Sequence, residues 1–99
     1  TIIPIEIVNL LNLENLFLSY NQILLIPIEI NKLKKLKRLY LNDNKIEIMP
    51  LETSDLINLE DLKLSNNPII FPLKNNMNFE NDDDFLKYFK KIYNNKGKF

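Results

Sequence analysis

A pentad returns unchanged after 23 residues: Ile3-Pro4-Ile5-Glu6-Ile7 reappears as Ile26-Pro27-Ile28-Glu29-Ile30, and a looser copy, Met49-Pro50-Leu51-Glu52-Thr53, follows after another 23. A second motif of the same period runs between the copies. Leu13 to Ile23 reads L-x-x-L-x-L-x-x-N-x-I, and Leu36 to Ile46 and Leu59 to Ile69 match it at every fixed position. A fixed period of this length marks stacked supersecondary units, none of which buries its own apolar face alone. Stability must therefore come from contact between neighbouring units.

The physical content of one unit follows from its spacings. In L-x-L two inward leucines flank one outward residue, which is the period of a strand, so Leu16 and Leu18, Leu39 and Leu41, and Leu62 and Leu64 are expected to point into the core. Successive strands lie parallel, ~4.8 Å apart. On the return segment Ile7, Leu10 and Leu13, then Ile30, Leu33 and Leu36, recur every third residue, which suits a short helical or 3₁₀ turn on the convex side. Proline fits the start of that segment, where its fixed φ is tolerated. Asn21, Asn44 and Asn67 hold one place in each unit. The expectation is that all three are buried and satisfy backbone groups left unpaired where the chain turns, a role that outweighs a polar binding ladder.

These motifs resemble the leucine-rich repeat family over residues 1 to about 73, and the I-P-x-x-I half resembles the 23-residue class of intracellular scaffolds, some of which bind small GTPases or phosphatases. The resemblance implies an α/β solenoid. Short parallel strands line its concave face, helical or 3₁₀ turns its convex face, and a C-terminal helix caps it. It also implies a cytoplasmic, non-catalytic module that binds a protein partner. The 99 residues fit one domain. We divide it into a partial repeat at 1–12, repeats at 13–35, 36–58 and 59–80, and a cap helix with its tail at 81–99.

The ends depart from the pattern. Asn67 to Pro72 is five residues where Asn21 to Pro27 and Asn44 to Pro50 are six, and the polar stretch Lys74 to Asn78 follows. A helix is expected from about Asp82 to Tyr93, with Asn81 as N-cap, the aspartates at its positive end, Lys90 and Lys91 at its negative end, and Gly97 beyond. Phe85, Leu86, Phe89, Ile92 and Tyr93 fall on one broad face of it, and we expect core packing rather than partner binding from the stripe Phe85, Phe89, Tyr93. The same stretch resembles the helix that closes many intracellular leucine-rich arrays. Consecutive aspartates lack the alternating spacing of a calcium loop. Thr1 to Leu10 starts partway through a repeat, which gives the expectation of a fragment of a longer array. Ile2, Ile3, Ile5, Ile7 and Leu10 would then lie open and promote self-association through that end.

Composition removes several functions. With no cysteine and no histidine the chain lacks the thiolate, the usual general base and the commonest metal ligands, and its single glycine rules out a glycine-rich phosphate loop. Thirteen basic residues balance thirteen acidic ones, which gives no support to nucleic-acid binding. The longest apolar run, Ile23 to Ile28, falls far short of the ~20 residues of a membrane span, and Thr1 opens no charged-then-apolar leader. No cofactor is implied. Carboxylate pairs such as Glu60 and Asp61 exist without a pocket-forming insertion beside them, so we expect no enzyme.

Function is expected on the outward strand positions, which form lanes across the repeats: Glu14, Lys37, Glu60; Asn15, Arg38, Asp61; Phe17, Tyr40, Lys63; Ser19, Asn42, Ser65; and Tyr20, Asp43, Asn66. Exposed aromatics are enriched at interface hot spots, and charges on the rim select partners. The candidate partner-binding residues are Phe17, Tyr20, Lys37, Arg38, Tyr40, Asp61 and Lys63. The alternative is that the chain is the recognition or regulatory segment of a larger enzyme or receptor.

Overall fold

A computed structural model describes residues 3–70 and 82–95, without the side chains of residues 8 and 82–84. Three strands, β1 (Asn15–Phe17), β2 (Arg38–Tyr40) and β3 (Asp61–Lys63), form one parallel sheet in the order β1-β2-β3. Their register repeats the 23-residue period: Asn15 opposes Arg38 and Arg38 opposes Asp61, and the central leucines 16, 39 and 62 are aligned. The ladder runs on at both ends, where Lys37 N–H donates to the Glu14 carbonyl at 2.7 Å and Leu18 N–H to the Tyr40 carbonyl at 2.8 Å.

η1 (Ile5–Asn9) precedes β1, and β1 and β2 are each followed by a turn and a return segment that enters a 3₁₀ helix, η2 (Ile28–Lys32) and η3 (Leu51–Asp55). Pro4, Pro27 and Pro50 stand just before them with φ near −60° to −66°, and their carbonyls accept the first 3₁₀ bond, from Ile7, Ile30 and Thr53. The three-residue spacing continues past η2, since Leu33 N–H bonds the Ile30 carbonyl and Leu36 N–H the Leu33 carbonyl. Residues three apart in a 3₁₀ helix eclipse one another, which carries Ile30, Leu33 and Leu36 into the core together. All three are fully buried, as are Leu39, Leu41, Ile46 and Met49.

The N-terminal end of the described stack is less enclosed. Leu10, expected in the core, is 55% exposed, and Ile7, Leu13 and Leu18 are only partly buried. Their counterparts 23 residues on, Ile30, Leu33, Leu36 and Leu41, are covered from both sides, whereas these are packed on one. Ile5 is also exposed, but for another reason: its equivalents Ile28 and Leu51 are exposed too, so the position faces outward in every repeat and never belonged to the open core layer. Ile3, by contrast, is buried. Ile2 lies outside the described residues.

The asparagine expectation holds fully at one position of three. Asn44 is buried, Asn67 is half-buried and Asn21 is exposed. The Asn44 amide donates to the carbonyls of Leu41 in its own repeat, at 2.9 Å, and Leu18 in the preceding one, at 3.0 Å, while its Oδ1 accepts from Ile23 N–H at 3.1 Å. Asn67 repeats this with Leu64, Leu41 and Ile46. Asn21 donates only within its own repeat, to Leu18 and Ser19.

The helix expected near the C-terminus is α1 (Asp82–Asn94), packed on β3 and η3. It buries Phe85 and Phe89 in the common core, with Leu86, Tyr88 and Ile92 partly buried beside them. Tyr93 departs from the expected stripe and is 44% exposed. Asn81, Pro72 and Gly97 lie outside the described residues.

Candidate functional site

The three-residue strands present Asn15, Phe17, Arg38, Tyr40, Asp61 and Lys63 on the concave face, while the leucine between each pair is buried. Phe17 and Tyr40 are register partners, and their rings meet at 4.6 Å between centroids, tilted by 31°. Phe17 stays 58% exposed. Tyr40 is half-buried because it is flanked on both sides: by Phe17, and by Lys63, whose Nζ lies 5.0 Å from the ring centroid. Its hydroxyl donates to Asp61 Oδ2 at 2.5 Å. That bond raises the Tyr40 pKa above its ordinary value; burial and the Asp61 charge add to the effect, and the Arg38 charge opposes it.

The charged lanes pair differently from simple alternation. Lys37 Nζ reaches Glu14 Oε1 at 3.4 Å, with both side chains about half exposed, a pair worth ~0–1 kcal/mol. Arg38 turns to Asn15 Oδ1, at 3.0 Å, while Asp61 takes the Tyr40 hydroxyl. Below them Ser19 Oγ donates to Asn42 Oδ1 at 2.6 Å, and Asn66 Nδ2 to Asp43 Oδ1 at 2.9 Å, so these lanes are also bridged from strand to strand.

Tyr20, Asp43 and Asn66 hold φ of 57°, 62° and 59° at the turn after each strand. Asn and Asp tolerate this left-handed conformation, whereas a tyrosine there is uncommon. Tyr20 is 79% exposed, and among the described residues no ring contact joins it to the Phe17–Tyr40 pair. The structure thus brings Phe17, Tyr40, Asp61 and Lys63 into one contiguous group, with Arg38 and Lys37 in the lanes beside it and Tyr20 apart at the strand end.

Sequence reasoning missed an outward aliphatic ladder. Ile5, Ile28 and Leu51 are exposed at one repeat position, and Leu25 and Ile48, joined by a parallel bridge, at another. The signal was present in the pentad itself, which keeps its outward isoleucine as faithfully as its inward ones. It also missed two clefts at the ends of the stack. One, of about 210 Å³, lies among Ile3, Ile7, Leu18 and Ile23; the other, of about 240 Å³, lies between η3 and α1. Among the described residues no cluster of three or more acidic side chains is placed to hold a metal ion, and no helix is long and apolar enough to cross a membrane.

Comparison with known proteins agrees with the geometry. The family model for leucine-rich repeats in two copies matches residues 11–53. A solved leucine-rich repeat protein of Leptospira interrogans is 38% identical and superposes with a TM-score of 0.72 over 90% of this chain. The plant peptide hormone receptor RGFR1, solved in complex with RGF2, is 36% identical with a TM-score of 0.62 over 66% of this chain. The chain spans 20% of the first structure's length and 11% of the second's. No curated protein matches it. Such repeats generally mediate contacts between proteins and are typically non-catalytic. Parallel strands in one sheet, 3₁₀ returns, an asparagine turn in each unit and these matches converge on one assignment: the chain is a leucine-rich repeat protein.

Proposed function

We propose that this chain is a non-catalytic module that binds a protein partner on its concave face, with Phe17 and Tyr40 as the anchor. The observation that carries this reading is an exposed aromatic held in place. Phe17 presents more than half of its surface to solvent, yet it rests on a Tyr40 ring fixed by Asp61 and Lys63. A pre-ordered patch loses little side-chain entropy on binding, and aromatic residues of this kind dominate interface energetics. Lys37, Arg38 and Lys63 next to it suit an apolar or aromatic anchor flanked by acidic groups. Tyr20 extends the surface at the strand end. The cytoplasmic setting implied by the resemblance is part of the proposal.

The test is capture from extract with the wild type and with a Phe17→Ala, Tyr40→Ala double variant, followed by titration of the retained protein. Both side chains point away from the core, so the fold should survive, as circular dichroism would show. Tyr40→Ala should weaken binding by roughly 30-fold or more. Arg38→Ala should act on the association rate and its salt dependence. A partner that binds the double variant as tightly as the wild type overturns the assignment of the face.

A second reading has its own support. The chain spans a small fraction of both solved relatives, and one of them is a peptide hormone receptor. On that reading these repeats are the recognition segment of a larger receptor or enzyme, and an extended peptide would lie along the same lanes. The cleft at Ile3, Ile7, Leu18 and Ile23, with Leu10 and Leu11 exposed nearby in sequence, supports self-association through that end. Sedimentation of a monomer at high concentration would overturn it.

A further inference from the structure

The two sides of the stack arrange charge differently. On the concave face the lane Glu14, Lys37, Glu60 alternates in sign, and Lys37 Nζ reaches Glu14 Oε1 at 3.4 Å, so the lane offsets part of its own charge. Behind the sheet the lane Glu6, Glu29, Glu52 keeps one sign through η1, η2 and η3. Like charges in one lane repel, so this row adds nothing to the stability of the stack. It can be offset only by cations brought to it from elsewhere.

Beside this row runs the outward aliphatic ladder. A 3₁₀ helix has three residues per turn and therefore three directions. In η2 Ile30 takes the inward one, and Ile28 and Glu29 take the other two; Ile5 with Glu6 in η1, and Leu51 with Glu52 in η3, repeat the arrangement. Ile5, Ile28 and Leu51 are 53%, 55% and 41% exposed. A single exposed aliphatic is ordinary, but one at the same place in every repeat makes a ridge, and an apolar ridge rimmed by charge marks a contact surface. Leu25 and Ile48, three residues before Ile28 and Leu51, add a second exposed row.

The ridge ends at an open hollow of about 260 Å³ where η3 meets α1, with Leu51, Ile92, Glu52 and Asp55 in its lining. Two aliphatic walls and two carboxylates suit a lysine or arginine, whose stem is apolar and whose head is charged. Asp55 Oδ2 accepts from Asn31 Nδ2 at 3.2 Å, and Lys34 Nζ donates to the Asp55 carbonyl at 3.4 Å. Lys32 and Lys34 offset part of the local charge, and Glu6, Glu29, Glu52 and Asp55 outnumber them.

We propose that the convex face binds a basic amphipathic helix of a partner protein. Its aliphatic side chains lie on Ile5, Ile28 and Leu51, and its lysines or arginines lie along Glu6, Glu29 and Glu52, with one in the hollow beside Ile92. A helix suits the spacing, because its same-face residues return about every 5.4 Å, close to the ~4.8 Å that the sheet sets between repeats and that widens on the convex side. The surface lies across the stack from Phe17 and Tyr40 and is independent of them.

The probe is a fluorescent synthetic helix of leucine and lysine, about fourteen residues or roughly four turns long, with leucine on one face and lysine on the other. It is titrated by anisotropy into the 99-residue chain. Saturable binding is expected, at least about tenfold tighter than for a peptide of the same composition in scrambled order or for one with glutamate in place of lysine. Ile28→Ser with Leu51→Ser should weaken it about tenfold, and Glu29→Gln with Glu52→Gln should do the same while flattening its salt dependence. Ile28 and Leu51 are exposed, so circular dichroism and the urea midpoint of their double variant should match the wild type. The Phe17→Ala, Tyr40→Ala chain should bind the peptide unchanged, which separates this surface from the concave one. A scrambled peptide that binds as tightly, an Ile28→Ser, Leu51→Ser chain that binds like the wild type, or loss of binding in the Phe17→Ala, Tyr40→Ala chain would each overturn the proposal. A dimer of the free chain that Ile28→Ser with Leu51→Ser dissolves would give the ridge to a second copy and overturn it as well.

Discussion

Asn44 and Asn21 occupy the same place in adjacent repeats and make different bonds. Asn44 reaches back across the stack to the Leu18 carbonyl and the Ile23 amide, and is buried; Asn21 bonds only its own Leu18 and Ser19, and is exposed. The chemistry of the side chain is identical, so the difference lies in the neighbour. Each inward asparagine fastens its repeat to the one before it: Asn44 joins the second to the first, and Asn67 the third to the second. The same contrast runs through the leucines, since Leu39 is fully buried between two strands while Leu16, at the edge of the sheet, retains 8% of its surface. A repeat motif specifies which group is available, and the adjacent repeat decides how much that group stabilises the fold.

The largest expected effect tests this on the strands. Leu39→Ala should cost about 3–5 kcal/mol, because a site packed on both sides relaxes little around the cavity. Leu16→Ala should cost roughly 1 kcal/mol less, since its surroundings are open on one side and collapse or hydrate more readily. Urea denaturation of the two variants gives both numbers, and equal losses would break the comparison. The asparagines should separate next. Asn44→Ala leaves buried carbonyls and the Ile23 amide without partners and should cost about 1–3 kcal/mol. Asn21→Ala, at an exposed site, should stay within about 0.5 kcal/mol. A wild-type denaturation curve for Asn44→Ala would show that water replaces the amide at no loss.

The edge effect also separates what was legible in the sequence from what was not. Strand positions, register, the 3₁₀ returns and α1 all follow from spacing, because they are set within one period or by a face of one helix. The burial of Leu10, Asn21 and Tyr93 was overestimated; Leu10 and Asn21 have the right residue type but lie at the end of the described stack, where fewer neighbours cover them, and no local pattern records that. The lanes of the concave face were legible, and the structure sets Lys37 beside Glu14 and Phe17 beside Tyr40 within them. The choice of Asp61 by the Tyr40 hydroxyl, with Arg38 turning to Asn15, was not. Long side chains with several acceptors in reach settle by geometry rather than by lane. The outward ladder of Ile5, Ile28 and Leu51 was missed because an aliphatic at a repeat position reads as core until its direction is known.

The smallest effect carries the comparison to the outer face. Tyr40, like Leu39, has a neighbour on each side, and one of them, Asp61, raises its pKa above the ordinary 10.0 chiefly by accepting its hydrogen bond. The phenol donates only while protonated, so folding favours the neutral form. The stability from this bond is therefore present in full below the unfolded tyrosine's pKa and is lost as pH rises through the raised, folded value. Asp61→Asn keeps an acceptor and removes the charge, and it should bring the Tyr40 titration back toward the ordinary value. The chain has four tyrosines, so the difference in phenolate absorbance between wild type and variant isolates the one that Asp61 controls. Urea midpoints of the two proteins should differ slightly at neutral pH and converge once the pH exceeds the raised pKa. Superimposable absorbance titrations would mean that the Tyr40–Asp61 bond does not persist in solution. The ring would then be no better ordered than Phe17 at the edge, and the concave patch would lose its claim to be set in place before a partner arrives.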